Sequence, residues 1–104
     1  MSLVGKEGPP KRAVIDISTA TTTAIVAAVS GKRIVVVNLV IYVGSGQTIV
    51  WKSGTTALSG PIGASYTAGD AYDGLIETVA GEALNLTTTA AAVVAGHLTY
   101  VLIP

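Results

Sequence analysis

Apolar and polar side chains alternate along residues 12–17, with Ala13, Ile15 and Ile17 on one side and Arg12, Val14 and Asp16 on the other. A period of two sends successive side chains to opposite faces of an extended chain, so this stretch predicts a half-exposed strand. Residues 23–29 predict a second strand, and Ser30-Gly31-Lys32 turns the chain into residues 33–43. That third segment is apolar on both faces, as in a strand at the centre of a sheet or against a neighbouring subunit. Gly44-Ser45-Gly46 reads as a hairpin into residues 47–53, where Ile49 and Trp51 share one face and Thr48, Val50 and Lys52 the other.

Residues 54–71 are the least regular. They predict a short strand near Ala57 and Leu58, a break at Gly60-Pro61, and a loop rich in Gly, Ser, Tyr and Asp. Residues 75–79, 83–88 and 97–103 complete the set, with Ala80-Gly81-Glu82 as a tight connection. Residues 90–95 have the alanines of a helical turn, but Thr87 to Thr89 before them and Gly96 after them favour a strand or loop. Seven or eight short strands separated by turn residues must pair or close their edges. The expected fold is therefore all-β, a single jelly-roll-like β-sandwich over residues 12–104.

Composition sharpens this picture in four places. Of 104 residues, 50% are hydrophobic and 12% charged, enough apolar surface to offset the ordering entropy that keeps polar, charged chains unfolded. Six basic and six acidic side chains give no net charge, so no bulk field gathers nucleic acid or anionic membrane. The longest apolar run, residues 34–43, includes Asn38 and is half the ~20 residues a spanning helix needs. Residues 1–11 differ from the rest: Gly5, Gly8, Pro9 and Pro10 in a polar context predict an extended N-terminal arm without the apolar core of a signal peptide.

Candidate chemistry is sparse. With no cysteine there is no disulfide, thiolate metal site or Cys nucleophile. His97 is the single histidine and has no HxH, HExxH or GxSxG context, so it reads as a strand-edge or core-lining side chain. Asp70, Asp73 and Glu77 form an acidic cluster without the spacing of a calcium loop and read as solvated turn residues. Trp51, Tyr42, Tyr66, Tyr72 and Tyr100 have the rings of a sugar-stacking platform, although the alternation around Trp51 points to packing. Asn85-Leu86-Thr87 matches a glycosylation sequon inside an expected strand and carries no weight. No catalytic, metal-binding or cofactor-binding residue is assigned, and the chain reads as non-enzymatic.

Several segments together resemble a family of small β-sandwich virion proteins of tailed bacteriophages, the capsid decoration or cement type. They are residues 22–29 followed by Gly31-Lys32-Arg33-Ile34, then Val50-Trp51-Lys52-Ser53-Gly54 with residues 56–61, then residues 78–86 and Gly96-His97-Leu98-Thr99-Tyr100. The likeness spans most of residues 20–104. It implies a protein made in the host cytoplasm that binds the outer surface of the head as a homotrimer, its partners being the major capsid protein and itself, with neither nucleic acid nor membrane involved. A tail, baseplate or head-tail connector protein on the same sandwich, or a small carbohydrate-binding module, is the alternative. Lys6, Glu7, Pro9, Pro10, Lys11 and Arg12 are the expected capsid contact, balanced against a merely frayed terminus. Val35, Val37, Leu39 and Ile41 are the expected oligomer interface.

Overall fold

A computed structural model describes residues 10–70 and 76–104. Eight strands follow one another: β1 (Lys11–Ile17), β2 (Thr22–Val26), β3 (Arg33–Val43), β4 (Ile49–Ser53), β5 (Thr56–Ala57), β6 (Ser65–Asp70), β7 (Leu84–Thr88) and β8 (Val94–Ile103). They form two four-stranded sheets, in the orders β1-β8-β3-β6 and β2-β7-β4-β5, and every neighbouring pair is antiparallel. Alternation sends Ile15, Ile34, Ile41, Val43 and Leu98 from the first sheet against Ile49, Trp51, Leu84 and Leu86 from the second, all in one buried cluster. Trp51 is 3% exposed and belongs to that core.

The pairs nest. Lys11 stands opposite Tyr100, Thr22 opposite Thr87, Val43 opposite Ser65 and Ser53 opposite Thr56, as in one long hairpin with its tip at Gly54-Thr55. Gly54 has φ +56° at the first position of that two-residue turn, where a II′ geometry requires a positive angle. Rolling the long hairpin adds the further ladders β3·β8 and β4·β7 and splits it into two layers.

Several expectations change. Gly44-Ser45-Gly46 is not a hairpin: it carries the chain from the first sheet to the second, with the Gln47 N–H donating to Gly44 O (3.1 Å). The expected loop around residues 65–70 is the edge strand β6, held by its backbone to residues 38–43 of β3. Of the expected strand at residues 75–79, residue 75 lies outside the described residues and residues 76–79 form no strand. Among those described, Glu77 makes a single bridge to Val35, while the Val36 N–H donates to Ile76 O (3.0 Å) and the Thr78 N–H to Ile34 O (3.0 Å). This short run continues the β6 edge of β3 and is tied there by an Arg33–Glu77 ion pair. β8 begins at Val94 rather than at residue 97.

β3 holds a β-bulge: Val36 faces Tyr100 and Asn38 faces Thr99, leaving Val37 as the extra residue. Its apolar side chains are used twice by the same chain. Ile34, Val36, Ile41 and Val43 join the main core, while Val35, with Val37 against it, meets Val101 and Ile103 in a second cluster on the other face of the sheet.

Candidate functional site

The face of the first sheet turned away from the core is the most distinctive surface of the molecule. Three rows cross it in register: Arg12–Thr99–Asn38, Val14–His97–Val40–Ala68 and Asp16–Ala95–Tyr42–Tyr66. The middle row lacks formal charge when His97 is neutral, and it ends at β1 in Val14, which is 71% exposed. Tyr42 and Tyr66 sit side by side across β3 and β6, 47% and 69% exposed. Large apolar and aromatic groups left in water on one sheet face mark a contact surface. Arg12 and Asp16 flank Val14 on the same strand.

A second feature is a cleft of about 220 Å³ between the sheets on the β5–β6 side, lined by Leu39, Ile41, Ile49, Trp51, Leu58 and Ile62, with Ser59, Ser65 and Thr67 also in the lining. Its walls are mostly core side chains, and its polar lining is hydroxyls. Among the described residues its lining holds no titratable group.

Expected site residues fall in several places. Lys6, Glu7, Pro9, Tyr72 and Asp73 lie outside the described residues. Pro10 is exposed just ahead of β1, and Lys11 and Arg12 are its first two residues, so the sheet begins one residue inside the expected arm. Val35, Val37, Leu39 and Ile41 do not share a face. The bulge breaks their alternation, so Val35 and Val37 belong to the outer cluster while Leu39 packs on the main core and Ile41 is part of it. His97 is half-buried on the outer face of a central strand, between Val14 and Val40, rather than at an edge or in the core. Of the expected acidic cluster, Glu77 pairs with Arg33 and the backbone of Asp70 lies in β6 in register with Asn38. Among the described residues no three His, Asp or Glu side chains converge as a metal site.

Gln47 was missed by sequence reasoning, since no local pattern marks a buried amide. It is 2% exposed and fastens the β7–β8 connection: its Nε2 donates to Ala90 O (2.7 Å) and Ala92 O (2.8 Å). Its Oε1 accepts from the N–H groups of Thr48, Thr89 and Ala90 (3.0 Å each). Ser53 plays a similar part at the opposite end, accepting from the Val79 N–H (2.9 Å) and donating to Glu82 Oε1 (2.5 Å). Both networks satisfy partly buried backbone groups of loops, and neither Gln47 nor Ser53 lines the cleft. Compared with known proteins, the chain matches no family model, no curated protein and no solved structure.

Proposed function

We propose that this chain is a non-enzymatic structural protein of a bacteriophage virion, a jelly-roll decoration protein that binds the outside of the head through the major capsid protein. The strand order carries this reading. Two interleaved sheets, 1-8-3-6 and 2-7-4-5, with every connection but β4–β5 crossing between layers, support a jelly-roll reading, an architecture common among viral capsid and lectin domains. The resemblance of residues 20–104 to phage decoration proteins supports the choice of virion within that group. A rigid two-layer body with an exposed apolar sheet face suits a part that stabilises a shell by contact alone. Self-association belongs to the reading, a trimer being what the resemblance implies, and the residues before β1 supply a latch whose Lys6 meets capsid carboxylates.

The test is co-sedimentation with undecorated heads. The intact chain should pellet with them and raise their melting temperature, and deletion of residues 2–10 should weaken binding while leaving a folded sandwich. Failure of the intact chain to bind heads from its own phage would overturn the assignment.

The Tyr42–Tyr66 pair favours one other reading, a carbohydrate-binding module, because two adjacent exposed rings can stack on successive sugars. Trp51, buried in the core, does not contribute to it. Polysaccharide pull-down lost in Tyr66→Ala would favour this second reading.

A further inference from the structure

We propose that β1 is a self-docking edge: two copies pair β1 to β1 antiparallel about a two-fold axis through Val14. The inference does not depend on the virion reading. Among the described residues β1 is hydrogen-bonded in its sheet to β8 alone, and none of them pairs with the backbone groups of its other edge. The ladder with β8 is regular over all seven residues and β1 contains no proline, so it lacks two of the devices that blunt natural edges.

Charge complementarity selects a second copy as the occupant. On the outer face β1 carries Arg12, Val14 and Asp16 in that order, a cation, an exposed β-branched side chain and an anion at even spacing. Arg12 and Asp16 are about 13 Å apart along their own strand, too far to pair with each other. Neither has an ion-pair partner among the described residues. An antiparallel copy centred on Val14 sets Arg12 of each chain opposite Asp16 of the other and Val14 opposite Val14, satisfying both charges at once. Ala13 then meets Ile15 on the core side. The two outer faces merge into one eight-stranded surface, and the row Ala68–Val40–His97–Val14 runs on into its own mirror order. A trimer built through another surface would be joined to its neighbours by this contact, so the pairing gives dimers alone or pairs of trimers.

Charge reversal tests it. Arg12→Asp gives β1 two acids on that face and Asp16→Arg gives it two bases, so each variant alone should self-associate about tenfold more weakly in sedimentation equilibrium. Mixing the two variants should restore association as heterodimers, and the double variant Arg12→Asp/Asp16→Arg should recover it unaided. A second measurement is independent of charge. The chain has no cysteine, and Val14→Cys places two thiols across the axis with Cα atoms about 4.5–5.5 Å apart, inside the disulfide range. Mild oxidation should capture Val14→Cys as a covalent dimer, while Val79→Cys, also exposed, stays monomeric on a non-reducing gel. Equal cross-linking of the two, no cross-linking of Val14→Cys, or mixed charge variants that associate no better than either alone would overturn the proposal.

Discussion

At the scale of single residues, Gly96 and Gln47 hold the first sheet and its connections in place. Gly96 has φ +148°, and a Cβ there would lie 2.0 Å from Val40 O in the neighbouring strand. Gly96→Ala therefore forces apart the two central strands and is expected to cost about 2–4 kcal/mol, lowering the melting temperature by about 10–20 °C in calorimetry. In the sequence the same glycine read only as punctuation, because a close backbone approach leaves no local pattern. Gln47→Ala strips partners from partly buried N–H and C=O groups of residues 89–92 and should cost about 1–3 kcal/mol in urea unfolding. His97→Gln is the contrast. It removes a half-buried outer-face side chain and should change stability by less than about 0.5 kcal/mol.

At the scale of elements, strands with a clear period of two were legible and those without one were not. Residues 12–17 and 49–53 announce their faces through Ile15, Ile17, Ile49 and Trp51, and all four are buried. β6 reads Ser-Tyr-Thr-Ala-Gly-Asp, with no apolar face at all; it exists because the open side of β3 offers backbone partners. The bulge hid the true faces of β3, since a regular strand would align Val35, Val37, Leu39 and Ile41, yet Val37 is an insertion within an otherwise alternating pattern. Deleting Val37 should therefore leave every other side chain on its present face. That variant is expected to fold with a loss of about 1–2 kcal/mol. Deleting Val40 instead shifts Ile34 and Val36, or Ile41 and Val43, to the wrong side and should abolish the cooperative transition in circular dichroism. Comparable melting of the two deletions would show that the bulge does not carry the register.

At the scale of the whole molecule, the sequence displayed strands but not their partners, because the pairing is almost entirely between distant segments. β1 closes on β8 across most of the chain, β2 on β7 inside it, and only β4 and β5 meet through a tight turn. Such nesting delays the reward of each contact until a long loop has been closed, so folding should be slow for a domain of this size. A circular permutation isolates that effect. Joining Pro104 to Lys11 through a short Gly-Ser linker, with new ends at Gly54 and Thr55, converts the seven-residue β1·β8 ladder into a local hairpin. It also brings β3 closer to β8, and β2 closer to β7, along the chain. In exchange β4·β5, a ladder of two pairs, becomes the distant contact, and β3·β6 and β4·β7 grow longer-range. The longest ladders gain most, so the mean separation of contacts falls. The permutant is expected to keep the same two sheets and to refold several-fold faster in stopped-flow fluorescence of Trp51, with unfolding little changed. An unaltered refolding rate would mean that the rate-limiting step forms the inner part of the hairpin, before β1 and β8 meet.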